Sequence, residues 1–182
     1  VSLLDGQAAV PDLQPGQEVS VSLAFTIPQL RGDGTVPRKS VSLSLGKTPV
    51  ANGLSTRSVG DGTLQEVAVG GRSASMPVPD LEQGRNRMIY LWVDDTILPP
   101  GNYDLEAVVE YFDQGTGSFM IEYDSIYGDA IEDRYRDSEA VSLLDTRTWK
   151  TAVIPLIGAR LGGRQNFDAD LRINGLVPIG QI

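Results

Sequence analysis

Three carboxylate pairs stand close together in this sequence: Asp94 with Asp95, Glu122 with Asp124, and Asp168 with Asp170. Residues i and i+2 of a strand share a face, so Asp168 and Asp170 are expected to present two oxygens in parallel. A loop carbonyl could then help complete the roughly six to eight oxygens that calcium takes. Calcium is the expected ion at these acids, and a solvated acidic face that keeps sheet edges from pairing is the competing reading. Paired carboxyl groups also perform glycoside hydrolysis when they stand about 5 to 9.5 Å apart, a distance that spacing along a chain does not supply.

Other reaction chemistry is harder to build from these residues. The chain has no histidine and no cysteine, which removes the usual neutral-pH general base, thiolate nucleophiles, disulfides and most zinc or copper sites. It contains no Gly-x-Ser-x-Gly elbow. Gly60-Asp-Gly62 and Gly70-Gly71 are expected in hairpin turns with no helix after them, so they do not form a phosphate cradle. The expectation is a chain that is not an enzyme.

Sugar recognition needs exposed rings that stack on apolar sugar faces, with polar groups nearby for the hydroxyls. Trp92, Trp149, Tyr127 and Tyr135 are the rings to consider. Trp92 and Trp149 lie inside strand-like segments and are expected in the core, whereas Tyr127 and Tyr135 sit in a long polar segment and are expected at the surface. Arg160, Arg164, Gln165 and Asn166 form a polar loop. That loop either hydrogen-bonds a sugar or is a turn held by its own side chains.

These groups need a frame. At 182 residues, 41% hydrophobic and 21% charged, the chain has globular proportions and fits one large β-sandwich, or one domain and part of a second. Its net charge of −9 repels nucleic acid and favours divalent cations. No apolar run reaches the ~20 residues of a membrane-spanning helix. Cysteine avoidance fits a secreted, extracellular protein, and Val1 in place of an initiator Met reads as a processed or trimmed start.

Period-two alternation recurs along the chain and predicts an all-β fold, an antiparallel sandwich or jelly roll of roughly nine to twelve strands. In Glu18 to Ile27, Val19, Val21, Leu23, Phe25 and Ile27 face one way, and Val41 to Leu45 repeats the pattern, so the two could pair as a hairpin. Arg87 to Asp95 is apolar on both faces and reads as a central strand. Tyr103 to Phe112 turns Tyr103, Leu105, Ala107, Val109 and Tyr111 to one side. Asp113 to Gly117 then reads as a hairpin turn, with Phe119, Ile121 and Tyr123 alternating on the return strand. Tyr127 to Glu139 reads as a long loop or one short helix, and Thr148 to Leu156 and Phe167 to Ile173 as further strands. Residues 1–50 are expected to be Ig-like strands or additions to a sandwich that occupies 51–182.

From about Gly53 onward, the ordered set Tyr90-Leu-Trp-Val-Asp-Asp95, Val109-Glu-Tyr-Phe-Asp113, Gly115-Thr-Gly117, Ile121-Glu-Tyr-Asp-Ser125, Thr146-Arg-Thr-Trp-Lys-Thr151, Ala159-Arg-Leu-Gly-Gly-Arg-Gln-Asn166 and Ala169-Asp-Leu-Arg172 resembles the β-sandwich modules appended to secreted bacterial glycan-processing enzymes. Such modules are galactose-binding-like jelly rolls. The resemblance implies a carbohydrate-binding or structural appendage with a polysaccharide partner and no catalysis. It also leads one to expect a small residue such as Gly where Phe167 stands. The rival expectation is a subunit of an extracellular filament or surface layer, in which an N-terminal strand self-associates with the next subunit's sheet edge.

Overall fold

Alternating apolar residues can bury one face of a strand only if a second layer covers it, and this chain supplies both layers. The computed structural model describes residues 39–79, 88–127 and 134–182. In chain order its strands are β1 (Ser42–Ser44), β2 (Val50–Asn52), β3 (Leu54–Thr56), β4 (Leu64–Val69), β5 (Arg72–Pro77), β6 (Met88–Val93), β7 (Gly101–Phe112), β8 (Thr116–Tyr123), β9 (Arg136–Asp137), β10 (Val141–Leu144), β11 (Trp149–Leu161), β12 (Leu171–Asn174) and β13 (Ile179–Gln181). They form two packed antiparallel sheets, the expected β-sandwich. One sheet has seven strands in the order β11-β7-β13-β1-β2, with β4 joined to it through β5 and β13. The other has six, β10-β8-β12-β6-β3, with β9 beside β8.

The core lies between the sheets and follows the alternation. Leu105, Ala107, Val109 and Tyr111 of β7 face Phe119, Ile121 and Tyr123 of β8 and Leu171 and Ile173 of β12, all buried. The rings of Tyr111 and Phe119 meet edge to face with centroids 5.0 Å apart. Central strand β6 is buried on both faces as expected. Ile89, Leu91 and Val93 enter the main core, while Met88 and Tyr90 form a second small cluster with Ala169 on the outer face.

Several local expectations are corrected. β7 and β8 do not pair as a hairpin, because they belong to opposite sheets and the chain crosses between layers at Asp113. Asp113 is fully buried. Its carboxylate accepts hydrogen bonds from the Leu144 N–H at 2.8 Å and the Thr146 hydroxyl at 2.6 Å, and pairs with Lys150 at 2.7 Å. Two alternating strands joined by a glycine turn look alike in sequence whether they lie side by side or face each other across a core.

Gly70-Gly71 does close a hairpin: Val69 pairs with Arg72, and both glycines have positive φ, as a tight two-residue turn requires. Gly60-Asp-Gly62 instead lies on the crossing from β3 to β4, which are in different sheets. The segment Glu18 to Ile27 lies outside the described residues. Its expected partner, β1, is already bonded on one edge to β2 and on the other to β13. Through these pairings, residues 42–52 belong to the seven-stranded sheet. The strand expected from Phe167 begins only at Leu171, since Phe167 and Asp168 have φ of 60° and 58°, outside the extended region. Within the segment Tyr127 to Glu139, the described residues include the short strand β9, which the sequence reading did not anticipate.

Lys150 and the Thr146 hydroxyl hold the Asp113 carboxyl well below its ordinary value of 3.8, outweighing the upward push of burial. The unfolded chain therefore takes up this proton first as pH falls. The stabilisation from this corner is complete above the unfolded value and is lost as pH falls through the folded one. Denaturant titrations from neutral pH down to about 2 should show an acid limb that Asp113→Asn flattens, with lower stability at neutral pH.

Candidate functional site

The outer face of the six-stranded sheet carries a row of rings and polar groups. Tyr90 and Trp92 alternate outward from β6. In register, Arg172 of β12 lies between Tyr90 and Glu122 of β8. Arg172 Nε donates to Glu122 Oε2 at 2.6 Å, its Nη2 contacts the same oxygen, and Asn174 Nδ2 donates to Glu122 Oε1 at 2.6 Å. The Arg172 guanidinium lies 4.2 Å from the centre of the Tyr135 ring, and the Tyr135 hydroxyl donates to Asn166 Oδ1 at 2.8 Å. A planar guanidinium can satisfy a carboxylate and stack on a ring together, which a lysine cannot do.

Two loops, 57–63 and 162–170, close over this face. The Tyr90 hydroxyl donates to Asp61 Oδ1 at 2.7 Å. Burial, reinforced by Asp61, pushes the Tyr90 phenol up to about 12, so it remains a donor at physiological pH. The Phe167 ring meets Tyr90 edge-on at 5.2 Å, and Trp92 Nε1 donates to the Phe167 carbonyl at 3.3 Å. Arg57 covers Trp92 at 4.4 Å.

Phe167 is held in the left-handed region, at φ 60° and ψ 26°, and is 42% exposed. That conformation costs a non-glycine residue about 1 to 3 kcal/mol, and the contacts with Tyr90 and Gly60 hold it there. Gly60 has a φ of +54°, and any Cβ on it would collide with the Phe167 ring. The small residue expected at 167 is thus what the backbone would favour, yet an exposed aromatic ring stands there.

Asp170 fixes the second loop. It is buried, and its carboxylate accepts the N–H groups of Gly162 at 2.8 Å, Gly163 at 3.0 Å and Val93 at 2.9 Å. Asp168 is exposed and takes no part, so the two acids do not share a strand face. Asp124 is 1% exposed and lies 3.2 Å from Arg164. Burial pushes its carboxyl up against the pull of Arg164 and Arg134. Asp94 caps its own turn by accepting the N–H and hydroxyl of Thr96 at 2.8 and 2.6 Å, which holds its carboxyl below the usual range; Asp95 is exposed. Side-chain or backbone N–H donors thus occupy the carboxylates of Glu122 and Asp170, whereas that of Asp124 faces Arg164 with no hydrogen-bond partner on either oxygen. Among the described residues no three acidic side chains converge to hold a metal ion.

Of the expected sugar-binding residues, Tyr135, Arg164, Gln165 and Asn166 are brought together. Gln165 Nε2 donates to the Arg134 carbonyl at 2.5 Å, and Arg134 in turn reaches the Arg164 carbonyl at 3.4 Å. Arg160 contributes its backbone N–H to the Asp124 carbonyl at 2.8 Å. Tyr127 is 63% exposed, as expected, with Arg136 at 5.3 Å from its ring. Trp92 and Trp149 are half-buried on outer faces rather than in the core. Trp149 packs between Phe112 and Arg72, its ring over Gly70 and Gly180. Sequence reasoning missed Tyr90, Arg172 and Phe167 as members of the face. The signal available was the outward parity of Tyr90 with Trp92 and the unexpected ring at Phe167.

Comparison of the chain with protein-family models, curated proteins and solved structures finds no significant match. Because the buried Asp170 carboxylate accepts three backbone N–H groups, that of Val93 in a buried bond and those of Gly162 and Gly163 in part-buried ones, Asp170→Ala should destabilise the fold by about 3 kcal/mol, measured by urea denaturation. Asp168→Asn, at an exposed position whose φ of 58° asparagine also tolerates, should change stability by less than about 0.5 kcal/mol.

Proposed function

We propose that this chain is a non-catalytic, extracellular carbohydrate-binding β-sandwich module. The single observation that supports the reading most is the exposed Phe167 ring, held in a strained backbone beside Tyr90 and Trp92. Strain of this kind persists only where surrounding contacts over-determine it, and it concentrates at ligand-binding positions. Among the described residues no guanidinium stacks on Phe167, whereas Arg57 covers Trp92 and Arg172 covers Tyr135. A sugar ring on Phe167 would find Asn166 next in the chain for its hydroxyls. The resemblance of the ordered motifs after Gly53 to modules of glycan-processing enzymes points the same way.

A second reading, a subunit of an extracellular filament or surface layer joined by strand exchange, draws on the outer edges of β2 and β3, which have no strand partner among the described residues. Size-exclusion chromatography separates the two readings, since a filament subunit elutes as polymer and a binding module as monomer.

Affinity gels and glycan arrays spanning plant, algal and microbial polysaccharides should show retention. A flat response across all of them would remove the carbohydrate reading. Running the same arrays with and without chelator tests whether calcium contributes. Phe167→Gly should relieve the backbone strain while deleting the ring, leaving stability within about 1 kcal/mol of the parent and reducing glycan retention at least tenfold.

A further inference from the structure

Trp92 belongs to two places at once. Its Nε1 donates to the Phe167 carbonyl at 3.3 Å, and the same residue lines a cleft of about 440 Å³ together with Ala51, Leu54, Ser55, Val93 and Asp94. That volume falls within the roughly 300 to 1,000 Å³ of small-molecule sites. Strand pairing fixes the walls: Ser55 stands opposite Trp92 and Leu54 opposite Val93, and the Asp94 N–H donates to the Gly53 carbonyl at 2.8 Å. A cleft already formed needs little ordering when a ligand enters.

The lining is chemically mixed. Trp92, Leu54 and Val93 offer apolar surface, whereas Ser55 brings a hydroxyl and Asp94 a carboxylate, both on exposed residues. Thr96 occupies Asp94 Oδ1 with two bonds, of 2.8 and 2.6 Å, which leaves Oδ2 to accept from a ligand. A sugar ring has the complementary make-up, with C–H faces and a rim of O–H groups. Because Arg57 already lies over the Trp92 ring at 4.4 Å, stacking belongs to Phe167, and the cleft contributes hydrogen bonds and an apolar wall. The Tyr90 ring lies 5.2 Å from that of Phe167 and 6.3 Å from that of Trp92, so a compact row of rings connects the exposed Phe167 to the cleft. Such separations suit neighbouring units of one polysaccharide.

Resting on the carbohydrate reading, we infer that the ligand is an oligosaccharide stretch of at least two contiguous units, one on Phe167 beside Asn166 and the next reaching past Trp92 into the cleft of Ser55 and Asp94. Phe167 alone would recognise a single sugar. The cleft makes recognition depend on chain length.

Titration calorimetry on the full chain reads that dependence, using the monosaccharide and the di-, tri- and tetrasaccharides prepared by partial hydrolysis of the polysaccharide that the arrays retain most strongly. The tetrasaccharide should bind at least about tenfold more tightly than the monosaccharide, beyond the statistical gain from several equivalent units. Ala51→Trp, which fills the cleft, should remove most of that gap. Asp94→Asn, which keeps an acceptor for Thr96 while removing the charge, should weaken the tetrasaccharide at least about threefold, and this near-isosteric change decides the matter if Ala51→Trp does not fold. Equal affinity at all lengths overturns the inference and leaves the carbohydrate reading in place. A gap undiminished in the folded variants overturns it too, by putting the additional units outside the cleft. Arrays that retain no polysaccharide remove the carbohydrate reading and this inference together.

Discussion

The structure depends on one apolar layer shared by two sheets, and on the point where the chain passes from one sheet to the other. Tyr111 and Phe119 face each other across that layer, only a few residues apart in sequence, because Asp113 turns the chain through it. A buried aspartate is an unusual residue to place at such a corner, since an unpaired charge there would be strongly destabilising. Here Lys150, Thr146 and backbone N–H groups surround it, and their bonds can be made only when the corner is folded as observed. The geometry of the corner and the burial of the rings require each other.

The same device recurs where loops meet the six-stranded sheet. The chain is acidic overall, and among the described residues five of its acids, Glu110, Asp113, Glu122, Asp124 and Asp170, are buried. Asp170 gathers backbone N–H groups from one loop and from β6; Glu122 is held by Arg172 and Asn174; Asp124 faces Arg164. Buried ion pairs contribute little net stability because desolvation offsets the attraction, but removing one partner is costly. Their effect is to define position, and what they position is the row of rings formed by Trp92, Tyr90, Phe167 and Tyr135.

Phe167 links this frame to the proposed function. A glycine would adopt its backbone angles freely, so retaining a ring there opposes local preference, and the ring remains substantially exposed. Gly60 yields the space that the ring requires, and Tyr90 gives it an edge to lean on. Local preference and tertiary contact disagree at this position, and such disagreements are expected at sites of recognition more than in a core selected only for stability.

The amino-acid order alone determined that the chain is built of strands and which side of most of them is apolar. Leu105, Ala107 and Val109, or Phe119, Ile121 and Tyr123, can bury themselves together only in an extended backbone, so alternation speaks directly for it. It also showed β6 as central, because apolar residues on both faces have no place at an edge, and it drew attention to Phe167. Tertiary structure decided what local pattern cannot encode: whether β7 and β8 lie side by side or face to face, that Phe167 and Asp168 leave the extended region, and that Arg172 joins Glu122 to Tyr135. Each of these turns on contacts between residues distant in the chain. The energies that choose among them come from burial and hydrogen bonding across the fold, not from the preferences of neighbouring residues.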